Sequence, residues 1–179
     1  MPSSSTVMAP SSTSSARSRR SYLDARDSRQ DALAWALGRG HPATLFLALN
    51  IPGGDKTPPG AEALFLWMLN QLPAVLPGFL ESSKFHDVLG PYAILGLDSD
   101  PKVVKKACVH LEAGHPSSRL IDLDVYSPDG QQVDRSSLGL PARACLVCDQ
   151  PAVDCIRAKR HSLHSVIHRV HELLAPFRT

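Results

Sequence analysis

Asp122 and Asp124 stand two residues apart in the run Leu120-Ile-Asp-Leu-Asp-Val-Tyr126. Apolar residues alternate with them, which is the pattern of a strand with one wet face. Alternation turns both carboxylates to the same side and sends Ile121, Leu123 and Val125 into a core. Two carboxylates so close repel each other, and a divalent cation relieves the repulsion. Hard oxygen ligands suit Mg²⁺, which keeps part of its water and shares its sphere with substrate phosphates. An ion held this way steadies a triphosphate and its departing pyrophosphate and polarises an attacking hydroxyl. Spacing alone is satisfied more simply by an amphipathic strand with a hydrated face. Just upstream, Glu112 and His115 lie in Leu111-Glu-Ala-Gly-His-Pro116. Glu112 could add a third carboxylate, and His115 could take a proton from a nucleophile, as histidine commonly does. The same segment also reads as a helix C-terminus capped by Gly114, with a His favourable to the helix dipole.

A second group is Cys145, Cys148, Cys155 and His161, spaced Cys-x2-Cys-x6-Cys-x5-His. A Cys-x2-Cys knuckle brings two thiolates to one ion, and a third Cys and a His complete a zinc tetrahedron. If one helix carried both Cys155 and His161, their spacing would not turn them to one point. Reduced cysteines packed as small apolar groups are the alternative. A redox pair would need a βαβ setting, which is missing around it. Arg157, Lys159 and Arg160 share this stretch, with Arg143 before it, so a phosphate-rich ligand and a solvated charged face are both open. His164, His168 and His171 follow His161 at helical spacing. That stripe reads more simply as a polar helix face than as a metal site. Cys108 stands apart and is expected in the core.

The elements that must position these groups can be traced from their punctuation. Asp24–Leu37 reads as a helix stopped by Gly38 and Gly40. Thr44–Asn50 reads as a buried strand, Pro52–Pro59 as a loop, and Gly60–Leu72 as a helix ended by Pro73 and Pro77. Gly90–Leu97 is a second strand, and a helix capped by Asp98 or Ser99 runs on to about Leu111. The acidic strand is the third, and the turn Ser127-Pro-Asp-Gly130 returns Gln131–Asp134 as a hairpin partner. Pro141–Pro151 is a loop, and Val153–Leu174 is one long helix closed by Pro176. This order gives an α+β fold, a small mixed sheet covered by helices, with a long C-terminal helix. Residues 1–20 are expected to be a disordered Ser/Arg-rich tail, and residues 21–179 a single domain.

The 179-residue chain is 43% hydrophobic and 20% charged, enough to bury a core. A formal net charge of +2 provides no global basic field for nucleic acid or acidic membranes. No apolar run nears the roughly 20 residues that span a bilayer. No secretory signal is visible, although the acid-poor N-terminus also has transit-peptide composition. Four cysteines, three of them bunched, do not form a secreted disulfide framework, so a reducing cytoplasm is expected.

Together the segments Leu-Glu-x-x-His-Pro-x-x-Arg-Leu-x-Asp-Leu-Asp-Val, Leu-Pro-x-Arg-x-Cys-Leu-x-Cys and Cys-x-Arg-x-Lys-x-His resemble the holo-citrate lyase synthases, the apo-citrate lyase phosphoribosyl-dephospho-CoA transferases. Asp24-Ala-Arg-Asp-Ser-Arg-Gln30 is similar to that family's N-terminal segment. The resemblance implies a nucleotidyltransferase-like acidic strand and a definite reaction. Its substrate would be 2′-(5″-triphosphoribosyl)-3′-dephospho-CoA. Its acceptor would be a serine of the acyl carrier (gamma) subunit of citrate lyase, with pyrophosphate released. Asp122 and Asp124 would hold Mg²⁺. Arg119, Arg135, Arg143 and Arg157, with Arg26 and Arg29, would be phosphate ligands. Glu112 or His115 would complete the metal site or activate the serine, and the Cys/His cluster, with zinc, would fix the loop before the last helix. Two positions depart from the family pattern: Ser118 stands where a Gly commonly precedes the Arg, and Ile121 where a Trp is frequent. The chain ends at Thr179 without the fused domain that makes the precursor in some relatives, so another protein would supply it. Two alternatives are a malonate decarboxylase counterpart and a zinc-stabilised nucleic-acid-binding module. The second is disfavoured by the low net charge and few tyrosines.

Overall fold

The computed structural model describes residues 12–76 and 78–178. Among the described residues, five strands form one sheet: β1 (Ala43–Leu49), β2 (Phe79–Asp87), β3 (Gly90–Leu97), β4 (Ile121–Tyr126) and β5 (Gln132–Val133). Their order is β2-β3-β1-β4-β5. Every pairing is antiparallel, so the α+β class holds while the sheet is not mixed. Among the described residues, five α-helices surround it: α1 (Ser12–Leu37), α2 (Ala61–Val75), α3 (Pro101–Gly114), α4 (Ala152–Arg157) and α5 (Leu163–Leu174).

Alternation along the central strands divides the sheet into two faces. Leu45, Leu47, Leu95 and Leu123 point to one side, where α2, α3 and α5 bury them with Leu64, Met68, Val104 and Leu174. A fully buried aliphatic side chain of this kind stabilises the fold by about 1.5–3 kcal/mol. The opposite face is thinner. There Ala36 of α1 packs on Ala48, Tyr92 and Ile94. The acids of β4 share this second face: Asp122 lies across from Ala48 and Asp124 across from Phe46.

Several elements differ from the sequence reading. Helix α1 begins at Ser12, inside the stretch expected to be disordered, while residues 1–11 lie outside the described residues. Pro73 sits inside α2, which continues to Val75. Proline gives up the N–H that would reach back four residues and its ring crowds that carbonyl, but its fixed φ is already helical and α2 ends two residues later, so the disruption is confined to the helix end. Pro77 lies outside the described residues. The cap of α3 is Asp100, whose carboxylate accepts from the Lys102 and Val103 N–H groups at 2.8 and 3.1 Å. Asp98 and Ser99 precede it, and α3 runs on to Gly114. Strand β2 was not foreseen. It is a sheet-edge strand with Ser82, Ser83 and Lys84 in its middle, so it lacks an apolar signature.

The expected single C-terminal helix is two helices. The chain leaves α4 after Arg157, passes Lys159 in a left-handed conformation at φ 45°, and restarts at Ser162. The Ser162 hydroxyl caps α5 by accepting from the Ser165 N–H at 3.0 Å.

Candidate functional site

Strand β4 is anchored by Ile121, Leu123 and Val125, which are at most 1% exposed, so its other side chains cannot turn away from the second face. Asp122 there accepts from Arg143 Nη1 at 2.5 Å and from Asn50 Nδ2 at 3.2 Å. Asp124 accepts from Gln132 Nε2 at 2.8 Å. Burial raises the Asp124 pKa, and the negative charge of Asp122 raises it further. Lys105 acts against both: its cation lowers the Asp124 pKa. Lys105 is itself buried and donates to the Leu123 carbonyl at 2.6 Å, beyond the two positions where β5 pairs with β4.

Guanidinium groups collect beside the acids. Arg143 Nη2 donates to the Ile121 carbonyl at 2.5 Å and to that of Ser118 at 3.3 Å, so it is tied to the start of the acidic strand. Arg135 donates to buried Glu112 at 2.6 Å. Glu112 thus anchors Arg135, and its charge also reaches Asp124. Arg119 donates to the Ala144 carbonyl. Burial lowers its pKa, and the nearby cations Arg143, Arg135 and Arg169 add to that effect. Like charges gathered in this way raise the local concentration of anions. The Nε groups of Arg119 and Arg143 are buried without a hydrogen-bond partner.

Other expected site residues lie elsewhere. The His115 ring packs against Trp67 at 5.1 Å and Phe177 at 5.8 Å, and its Nδ1 accepts from the Ser117 N–H at 3.2 Å. Arg29 grips Asp87 with Nε and Nη2 at 2.8 and 2.7 Å and lies over the Tyr92 ring at 4.4 Å. Arg26 is exposed on α1 near Lys56. Arg157 is exposed at the end of α4. Three residues around the acids were not foreseen: Lys105, Asn50 and Gln132. Lys105 alone left a trace, since Lys105, Cys108 and Glu112 fall on one helical face.

The Cys145, Cys148 and Cys155 sulfurs and a ring nitrogen of His161 all lie within 4.8 Å of one another. This set could hold a metal ion. Cys148 Sγ is 3.5 Å from Cys155 Sγ and 3.3 Å from His161 Nε2. The knuckle is closed by the Cys145 N–H to the Gln150 carbonyl at 2.7 Å and a bridge between Ala144 and Pro151. The break between α4 and α5 lets the chain return so that His161 meets Cys155, which a continuous helix would forbid. Cys108 stands apart in the core, where burial pushes its thiol pKa up to about 12.

A family model described as apo-citrate lyase phosphoribosyl-dephospho-CoA transferase matches residues 18–177. The chain belongs to this family. A Citrobacter koseri relative of that name is 32% identical over 155 residues, covering 84% of this chain and 83% of its own. One from Shigella flexneri serotype 5b is 32% identical over 157 residues, 85% of each chain. One from Escherichia coli O139:H28 reaches 39% over 94 residues, about half of each. The matched range of the family model contains both the acids and the Cys3His cluster.

In this transferase family member, two clefts meet at Arg119. One, of about 530 Å³, lies between the knuckle and α5 and is lined by His164, His168 and Arg169. The other, of about 490 Å³, lies between Asn50, Arg143, the Cys3His cluster and the α4–α5 corner. Arg143 and Asn50 line it while contacting Asp122, so this second cleft is linked to Asp122 through those two side chains. Among the described residues, no helix is long and apolar enough to cross a membrane.

Proposed function

We propose that the chain transfers phosphoribosyl-dephospho-CoA from 2′-(5″-triphosphoribosyl)-3′-dephospho-CoA to a serine of the apo-citrate lyase acyl carrier (gamma) subunit. The serine oxygen bonds to the innermost phosphorus of the triphosphate, the bond from that phosphorus to the bridging oxygen breaks, and pyrophosphate leaves with one proton released per turnover. The observation that carries the reading is Asp122 and Asp124 side by side on one sheet face and flanked by Arg143.

The carboxylates suit Mg²⁺ because burial, and then the charge of neighbouring Asp122, raise the cost of ionising Asp124, a cost that a bound cation would relieve. Mg²⁺ bound there would neutralise charge on the triphosphate. Arg143, Arg119 and Arg135 would hold the phosphate oxygens of the substrate, and Arg135 would stabilise the negative charge developing on pyrophosphate. Asn50 and Gln132 orient the two acids by donating to them. The Cys3His set has the donors and closeness of a structural zinc site, fixing the loop that carries Arg143. Thiols that are all free fit a reducing cytoplasm.

The test incubates the chain with the triphosphoribosyl precursor, Mg²⁺ and apo carrier subunit, then weighs the carrier by mass spectrometry. The carrier gains the mass of the prosthetic group. Asp122→Asn lowers the rate on the order of a hundred- to a thousandfold while circular dichroism and metal content stay as in the parent. Undiminished transfer by that variant would overturn the reading.

A further inference from the structure

We propose that the cleft between Arg143 and the α4–α5 corner binds the adenine and diphosphate of the dephospho-CoA arm, with the Cys3His cluster as one of its walls. This rests on the transferase reading above.

The cleft is two-sided in character. Its polar wall is Arg119, Arg143 and Asn50. Its apolar wall is built by Leu146, Ile156, Leu163 and Val166. Ile156 is 75% exposed and Leu163 is 61% exposed, large aliphatic groups left in water at the mouth of a concavity. Such groups mark a surface that a ligand covers. A volume of about 490 Å³ is that of a small-molecule site, not of a flat protein-docking patch. The matching ligand has a flat, weakly polar ring at one end and an anion at the other, and an adenine nucleotide is such a molecule. Dephospho-CoA carries one, with its diphosphate next to the ribose from which the triphosphoribosyl branch departs.

Position supports the same assignment. Arg143 lines the cleft and holds Asp122, so phosphates gripped there lie one side chain from the acidic pair. The triphosphate branch then reaches the acids while the nucleotide stays anchored. Cys145, Cys155 and His161 also line the cleft. A metal bound by them sets the spacing between the knuckle and the α4–α5 corner, and so the width of the nucleotide slot.

The test measures dephospho-CoA binding to the full metal-loaded chain by calorimetry, with inorganic triphosphate plus Mg²⁺ as the control ligand. Ile156→Asp and Leu163→Asp each weaken dephospho-CoA at least about tenfold, the effect of losing one aliphatic contact. Both leave triphosphate binding unchanged. In the unmutated chain, dephospho-CoA slows backbone hydrogen exchange across residues 152–166, a readout that needs no variant. Absent binding by the parent chain, or unchanged affinity in both variants, overturns the proposal. So does unchanged dephospho-CoA affinity with a raised KM for the carrier, which would make the patch a carrier-docking surface. Binding is read without turnover, so the two readings separate. Failure of transfer by the parent chain strikes the reaction, whereas intact transfer with unaltered nucleotide affinity strikes only the cleft.

Discussion

Asp124 works against the stability of the fold that presents it. Its pKa is raised in the folded protein by burial and by Asp122, so the folded state favours the neutral form. The sign follows from linkage: a carboxyl with a raised folded pKa destabilises the fold above that pKa, and the penalty vanishes once pH falls below the unfolded value. Asp124→Asn keeps an oxygen for Gln132 to donate to and removes the charge. Its melting temperature is therefore expected above the parent's at pH 8, with the two curves converging in acid, while transfer falls on the order of a hundredfold or more. Lys105→Met has the opposite leaning. It removes the cation that lowers the Asp124 pKa, so the acid limb of the kcat/KM profile moves to higher pH. It also leaves the Leu123 carbonyl without its donor, at a cost of about 1–3 kcal/mol. A pH–rate profile and a thermal melt check both. The two acids were legible from alternation because Ile121, Leu123 and Val125 need a core, and burying them fixes where the carboxylates point. Asn50 and Gln132 were not, since a single residue at an element's end has no periodicity to betray it.

Helix α1 is held to the sheet by a polar clamp as much as by its apolar face. Arg29 meets Asp87 through two hydrogen bonds and donates to the Gly90 carbonyl at 2.8 Å, with side chains only 11% and 21% exposed. Arg29→Ala is expected to destabilise by about 1–3 kcal/mol, the range for charge-assisted hydrogen bonds. Arg29→Lys recovers only part, because an ammonium cannot reproduce the paired geometry. Chemical denaturation measures the loss, and kcat/KM measured well below the melting temperature stays within about twofold of the parent. A tenfold fall in kcat/KM with unaltered stability would instead return Arg29 to the phosphate-binding role its resemblance suggested. Element boundaries were least legible where polar residues carry structure. Strand β2 carried no signal because this edge strand has Ser82, Ser83 and Lys84 in its middle, and the α4–α5 break is hidden because Lys159 adopts a left-handed turn without a glycine to announce it. The ligand spacing held the missing clue, since Cys155 and His161 cannot meet on one helix.

At the scale of the whole molecule, the site joins two regions with different sources of stability. The sheet, α2, α3 and α5 share one apolar core, and strand β4 belongs to it through Ile121, Leu123 and Val125. The stretch from Ala144 through α4 to His161 contributes only a partly buried Leu146 to that core, and Cys155 is the one buried residue of α4. Its order must come from the cluster, whose donors converge within 4.8 Å, together with the few backbone bonds that close the knuckle. A metal ion held by this set would make ligation and local folding one process. Chelation is expected to erase hydrogen-exchange protection across residues 144–161 while β1, β3 and α2 keep theirs. Transfer is lost with it, because Arg143 and the ligand-bearing loop lose their fixed place beside Asp122. Cys148→Ser reproduces the chelated pattern with metal present. Uniform loss of protection through β1 would mean that the cluster supports the entire fold, and unchanged protection over residues 144–161 would mean that packing alone orders the knuckle.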